Sequence, residues 1–87
     1  MANSVELPLQ LTRLAHFLRV VDDGGFSSAA RRLATTKSTI SRNIADLEAD
    51  LGVKLLTRTT RKLSLTDEGR DLYERSAPLL AGMDAAL

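Results

Sequence analysis

Two predicted helices joined by a very short turn constrain this sequence more than any other feature. Helical spacing predicts one helix from Ser28 to about Ala34 and another from about Lys37 to Leu51, with Thr35-Thr36 between them. A turn this short makes the two helices cross steeply. Ala29 and Ala30 lie on the inward face of the shorter helix, and such small side chains allow a close approach. The pair therefore predicts a helical elbow within a small domain.

The ends of both helices carry recognisable signals. Ser27 and Thr36 are natural N-caps, because a hydroxyl can accept a hydrogen bond from a free N–H group of the first helical turn. Gly52 is a typical residue to close the longer helix. Apolar spacings of four, three and four predict the buried face of that helix, which comprises Ile40, Ile44, Leu47 and Leu51.

Another amphipathic helix precedes this pair. Its apolar residues recur at helical spacing and are Leu11, Leu14, Ala15, Leu18 and Val21, with Phe17 beside them. We expect this helix to end near Asp22 and Asp23, because Gly24-Gly25 stops it. Residues 1–8 are predicted to form an N-terminal extension.

A short β-hairpin is predicted after the helical pair, at about residues 53–65. Val53 to Thr57 has the composition of a strand, and Leu63 to Leu65 has the alternation of one. The segment between them, residues 58–62, is polar and basic. It contains no Asn-Gly or Asp-Gly pair, so the register of the hairpin stays open. A basic-tipped hairpin that follows two such helices is called a wing.

Residues 67–87 predict one long helix. Thr66 would cap it, and Asp67 and Glu68 occupy the first turn, where the helix dipole favours acidic side chains. Apolar spacings of four and three produce a seam, and we expect a dimer interface of Leu72, Ser76, Leu79, Leu80 and Met83. Pro78 is expected to bend the helix. The apolar pattern still runs at the last residue, so we expect the chain to be cut from a longer protein.

Charge and composition narrow the function classes. Residues 1–66 hold ten Lys or Arg and six Asp or Glu, a net charge of +4, whereas residues 67–87 carry −3. This asymmetry suggests that only residues 1–66 face a polyanion.

Composition excludes several other functions. With no cysteine and one histidine, His16, the sequence offers no metal cluster and no set of catalytic residues, and we assign His16 no role. No apolar run approaches membrane-spanning length, so a cytoplasmic protein is expected.

The polar face of the longer helix points to nucleic acid. Opposite the apolar stripe, its start carries Thr36, Lys37, Ser38, Thr39, Ser41 and Arg42, with Asn43 flanking them. The acidic residues Asp46, Glu48 and Asp50 lie in the carboxyl half. A recognition helix enters the major groove by its amino-terminal end, where donors are needed. We therefore predict a contact with double-stranded DNA, with Arg42 as the largest contributor; the alternative is a merely solvated face.

Two neighbouring groups are predicted to support this contact. The wing would lie on the sugar-phosphate backbone or in the minor groove through Arg58, Thr60, Arg61 and Lys62. Alternatively, these residues form an ordinary solubilising turn. At the start of the shorter helix, Ser27 could bind a phosphate as well as cap, together with Arg31. At least one of Arg31 and Arg32 is expected to pair with an acid.

These segments together resemble the LysR-type regulators. The matching stretches run in register without gaps and are FLRVV at 17–21, GFSSAARRL at 25–33, SRNI at 41–44, LEADLGVKLL at 47–56 and RTTRKLSLT at 58–66, followed by Gly69. Two departures stand out. Lys37-Ser38 occupies the place of a frequent Gln-Pro, and Thr35 the place of an apolar residue.

The resemblance implies a mostly α fold with a small β-hairpin: a winged helix-turn-helix over residues 9–66, with the helix-turn-helix at about 26–45. Residues 67–87 would be a linker and dimerisation helix. Such proteins usually bind partly palindromic promoter operators as homodimers, and are often tetramers at full length. A small-molecule effector would bind a further domain absent from this chain, and no cofactor or metal is expected here.

A protein-interaction module is the main alternative. Near-neutral charge and an acidic final helix would suit a winged helix that docks proteins and binds DNA without sequence preference. The basic first turn of the longer helix argues against this alternative.

Overall fold

The computed structural model describes residues 7–58 and 62–86. The chain folds as two compact units, an amino-terminal unit, Met1–Val53, and a carboxyl-terminal unit, Lys54–Leu87. The first contains helices α1 (Leu7–Asp23), α2 (Phe26–Arg32) and α3 (Lys37–Leu51). The second contains strands β1 (Leu56–Arg58) and β2 (Leu63–Leu65) and helix α4 (Asp67–Ala86). This is the mostly α architecture with a small hairpin that the sequence predicts.

Helix α1 starts earlier than expected. It begins at Leu7, inside the predicted extension of residues 1–8, and Pro8 falls in its first turn, where no N–H group is needed. Its buried residues are Phe17, Leu18 and Val20, whereas the other residues of the expected inward stripe are only half-buried: Leu11, Leu14, Ala15 and Val21. The large Phe17 and Val20 side chains are 0% exposed and contribute most of the α1 core.

Helix α2 begins one residue before the predicted cap. Gly25 occupies the cap position with an extended backbone, and its carbonyl accepts the N–H of Ala29 at 3.4 Å. Ser27 is therefore the second residue of the helix and not its N-cap. The prediction was wrong because a hydroxyl is a local signal, whereas the start of this helix is decided by the backbone path through Gly24 and Gly25.

The turn between α2 and α3 satisfies its backbone groups within three residues. Ala34 adopts a left-handed conformation with φ of 53°, which is uncommon for a residue other than glycine. Its N–H donates to Arg31 and the N–H of Thr35 donates to Ala30, at 3.3 and 3.0 Å. These two bonds close α2 as a Schellman motif. The predicted cap of α3 is confirmed, since the Thr36 hydroxyl accepts the N–H of Thr39 at 3.1 Å.

Helix α3 has the predicted bounds and closes at Gly52, which is left-handed with φ of 72°. Ile40, Ile44 and Leu47 are buried, and the three helices pack on one another around them, with Ala29 and Ala30 of α2 also buried. Leu51 was expected to be inward but is 48% exposed. It is the last residue of α3 and lies one turn beyond the part of the stripe that the neighbouring helices cover.

The hairpin is present, with a shorter first strand than predicted. Antiparallel pairing joins Leu56 to Leu65, Thr57 to Ser64 and Arg58 to Leu63, which settles the register. Val53 was expected to begin the strand, but its N–H donates to Glu48 at 3.2 Å and so helps to close α3. That N–H group is therefore not available to a β-ladder.

The start of α4 is tied to the residues before β1. The Thr66 hydroxyl accepts the N–H of Gly69 at 2.9 Å, as predicted for a cap, and also donates to the carbonyl of Lys54 at 2.6 Å. The Thr66 N–H donates to Leu55 at 3.0 Å. Helix α4 then continues through Pro78 to Ala86. The bend at Pro78 stays a prediction.

Gly69 permits this close approach. A Cβ atom added there would overlap the carbonyl oxygen of Leu55 and lie 2.9 Å from its carbonyl carbon, so backbone would have to move. Gly82, on the same helix, has open space around its position.

We expect Gly69→Ala to destabilise the chain by about 1–3 kcal/mol because of this overlap. The matched variant Gly82→Ala should instead stabilise it by up to about 1 kcal/mol, since alanine is the better helix former. Urea unfolding followed by circular dichroism measures both. Equal effects of the two substitutions would contradict the close approach at Gly69.

Candidate nucleic-acid interface

The amino-terminal end of α3 presents the predicted polar side chains unevenly. Lys37, Ser38 and Arg42 are exposed, and within the described residues no hydrogen bond or ion pair engages them. Thr36 is also exposed, but its hydroxyl is shared with Thr39 at 2.9 Å. Thr39 and Ser41 are half-buried, and Ser41 interacts within the chain. Lys37, Ser38 and Arg42 therefore form the available donor surface of this helix.

The acidic half of α3 is held by α1. Arg13 Nη1 lies 2.8 Å from Asp50 Oδ2, and Arg13 Nη2 lies 3.5 Å from Asp46 Oδ2. Gln10 also donates to Asp50, at 2.9 Å. The Arg13 side chain is only 14% exposed, so these contacts are partly screened from water. Arg13 of α1 thus neutralises the charge of two acidic residues of α3. Among the described residues, the cationic side chains at the amino-terminal end of α3 have no such partner.

Sequence reasoning missed Arg13. Its partners lie 33 and 37 residues away, and no local spacing relates them. The sequence does contain a pattern that could have indicated these contacts: the polar residues Gln10, Arg13 and His16 recur every three residues on α1. Such a register becomes informative only when the antiparallel partner helix is known.

His16, to which the sequence assigned no role, contacts α3. Its Nδ1 lies 2.9 Å from Nδ2 of Asn43, and both side chains are half-buried. Burial lowers the pKa of His16 below its usual 6.5, which favours the neutral ring. Asn43, predicted to flank the polar face, is therefore oriented by a residue of α1.

The two arginines of α2 differ in their surroundings. Arg32 Nε lies 3.5 Å from Asp23 Oδ2, a charge contact too long for a good hydrogen bond. Arg31 is exposed, and no partner engages its side chain within residues 7–58 and 62–86. Ser27 is exposed in the first turn of α2. Arg32 is thus the arginine that meets an acid, and Arg31 is the one that is available.

Part of the predicted wing surface falls outside the described residues. This applies to Thr60 and Arg61, and to the side chain of Arg58. Lys62 is exposed and makes an interaction within the chain. The role of the wing stays a prediction.

The predicted seam of α4 is only partly exposed. Leu79 and Met83 are 70% and 51% exposed, and Leu72 and Leu80 are half-buried. Ser76 is 6% exposed within the single chain, and the predicted dimer interface stays a prediction. On the same helix, Arg75 Nε lies 3.1 Å from Asp71 Oδ1, one turn away.

Neither a metal site nor a membrane-spanning helix is present among the described residues. Across residues 7–58 and 62–86, no group of three or more His, Asp or Glu side chains is placed to hold a metal ion. In the same part of the chain, no helix combines the length and apolar character needed to cross a membrane.

A tight helical pair with an exposed polar recognition end, followed by a two-stranded hairpin and a long helix, defines a winged helix-turn-helix protein. The family model described as bacterial regulatory helix-turn-helix protein, lysR family, matches residues 11–70. The chain therefore belongs to the LysR family of bacterial helix-turn-helix regulators.

Individual relatives agree with this family. The HTH-type transcriptional regulator CrgA of Neisseria meningitidis is 49% identical over 73 residues, which are 84% of this chain and 24% of the relative. The DNA-binding domain of BenM, solved in complex with catB site 1 DNA, is 36% identical with a TM-score of 0.79 and covers 87% of this chain and 82% of that one.

A full-length structure also matches. It is the virulence activator AphB of Vibrio cholerae, with a TM-score of 0.84, 36% identity, and coverage of 87% of this chain and 26% of that one. The chain thus spans about a quarter of the length of the curated relatives that it matches.

Proposed function

We propose that this chain binds double-stranded operator DNA in a sequence-specific manner, as the DNA-reading part of a bacterial transcription regulator. In this proposal α3 enters the major groove by its amino-terminal end, and the wing contacts the backbone or the minor groove. The observation that carries it is the exposed set Lys37, Ser38 and Arg42 at that end of α3.

The electrostatics of α3 support this orientation. A carboxylate near a phosphate is unfavourable, and Asp46 and Asp50 lie about one and two turns beyond Arg42 along the helix and contact Arg13. Helix α3 therefore offers cationic donors at one end and compensated acids at the other. A helix inserted by its amino-terminal end places the donors against the base edges and keeps the acids away.

The relatives support the same class of ligand. The matching BenM and CbnR DNA-binding domains were solved as complexes with DNA. Because a shared fold alone does not establish function, the proposal depends on the donor surface of α3 as well as on the family.

Arg42 gives the most direct test. We expect Arg42→Ala to weaken binding to a selected operator by about 1–3 kcal/mol, because a guanidinium that contacts a base edge is lost. Arg75→Ala is the control, since it removes the same charge from an exposed side chain of α4 that contacts Asp71. The operator is first selected from random duplexes, and affinity is then measured by fluorescence anisotropy. Equal losses in the two variants would remove Arg42 from the interface.

The wing is tested by salt dependence. We expect Arg58→Ala and Arg61→Ala each to weaken binding to all duplexes and to reduce the slope of log affinity against log salt by about 1, because one phosphate contact disappears. Arg75→Ala serves again as the charge-matched control. An unchanged slope in both wing variants would show that the wing does not touch the phosphates.

Dimerisation through α4 is part of the proposal. Leu79 and Met83 are four residues apart, so they lie on one side of the helix and form an exposed apolar pair. A second copy would cover them, which would suit an operator with two related half-sites. The full-length protein is proposed to form dimers or tetramers.

We expect Leu79→Glu to shift the chain from dimer to monomer, because a charge would be buried at the seam. Ala81→Glu, an exposed position on the same helix about 160° away, should leave the mass unchanged. Sedimentation equilibrium measures both variants. A wild-type chain that is monomeric at high concentration, with and without operator DNA, would contradict the dimer.

The remaining properties of the whole protein follow from the family and are proposals. A regulator that reads chromosomal operators works in the bacterial cytoplasm. A small-molecule effector would act on a further domain, and DNA binding by this chain would need no cofactor and involve no catalysis.

A further inference from the structure

His16 and Asn43 join α1 to α3 at the residue that follows Arg42. Asn43 Nδ2 lies 2.9 Å from His16 Nδ1. With the amide nitrogen of Asn43 as the donor, Nδ1 is the acceptor, which corresponds to the neutral tautomer with its proton on Nε2. The orientation of the Asn43 amide is therefore coupled to the protonation state of His16.

This contact leaves part of the Asn43 amide free to bind something else. Among residues 7–58 and 62–86, no other hydrogen bond engages its oxygen or its second N–H group. An amide oxygen beside an N–H group is the pair with which asparagine reads adenine in the major groove. Asn43 is next to Arg42 in sequence and about 100° from it around α3, but about 120° from Lys37 and about 140° from Ser38, so it adjoins the proposed DNA surface at Arg42 only.

We propose that Asn43 is a specificity-determining residue for DNA, and that His16 is the positioning residue that decides which end of its amide is presented. This inference rests on the proposed function. When His16 is protonated, both of its ring nitrogens donate, and the Asn43 amide must rotate to offer its oxygen to Nδ1. The rotation places a donor where an acceptor was, and so changes the favoured base.

The charged side chains near the pair do not replace His16 as the group that sets the orientation of the Asn43 amide. On α1 and α3 the charged side chains closest in sequence to the pair are Arg13, Arg19, Arg42 and Asp46, and α2 adds Arg31 and Arg32. Asp46, one turn beyond Asn43, contacts Arg13, and Arg32 contacts Asp23. The carboxylate nearest in sequence to Asn43 is thus already compensated by a cation. Protonation of the neutral His16 ring is the event that reverses the orientation of the Asn43 amide.

The lone histidine allows a test without DNA. His16 is the only histidine in the sequence, so its ring signals can be followed by NMR without overlap. Asn43→Ala removes the donor to Nδ1 and should raise the measured pKa by about half a pH unit or more. Asn43→Asp should raise it further, because a carboxylate favours the imidazolium. An unchanged pKa in both folded variants would overturn the pairing, whatever the chain binds.

The second test measures base preference by selection from random duplexes at about pH 7.5 and about pH 5.5. Acid should change the wild-type preference about fivefold or more at one position of each half-site. His16→Asn retains an acceptor near the place of Nδ1 and cannot be protonated, so it should keep the neutral-pH preference at both values. His16→Phe and Asn43→Ala should lose that preference at both values.

Two outcomes of the selection would overturn the inference while leaving the proposed function intact. One is a His16→Asn variant that changes with pH as the wild type does. The other is a His16→Phe or Asn43→Ala variant with wild-type preference at every position. A wild-type chain that enriches no site at either pH would overturn the proposed function, and the specificity role of Asn43 with it, while the NMR titration would still decide the pairing.

Discussion

The tight turn between α2 and α3 is the constraint on which the amino-terminal unit depends. Two helices that meet within a few residues must satisfy the carbonyls that end one helix and the N–H groups that begin the other. Left-handed Ala34, the bond from Thr35 to Ala30 and the Thr36 cap meet both needs. Because Ala29 and Ala30 are small and buried, the crossing helices can come close. The polar start of α3 is exposed as a consequence.

Helix α1 packs into the core with one face and contacts polar residues of α3 with another. Phe17, Leu18 and Val20 supply much of the core of the unit. A polar register beside them, Gln10, Arg13 and His16, meets Asp50, Asp46 and Asn43 of α3. These contacts fix the rotation of α3 about its own axis and distribute its charge, since acids at one end are compensated and cations at the other end are not. Helix α1 thus supports the core and also shapes the proposed DNA-binding surface.

The carboxyl-terminal unit depends on a comparable close contact. Thr66 both caps α4 and binds the Lys54 carbonyl, and the absence of a side chain at Gly69 lets α4 begin against the Leu55 backbone. The hairpin has only three residues in each strand, and such a short ribbon gains little stability from pairing alone. Its attachment to the first turn of α4 therefore matters for any role of the wing or of the α4 seam.

The sequence by itself determined the order of the elements, the bounds and cap of α3, the cap of α4 and the polar face around Arg42. Each of these depends on signals within one helical turn or on a period along one element. Tertiary structure alone decided that Gly25 and not Ser27 precedes α2, that Leu51 is exposed and Ser76 buried, and that Arg13 and His16 meet α3. Those outcomes depend on backbone paths and on partners tens of residues away, because burial and pairing are properties of packed helices and not of any single helix.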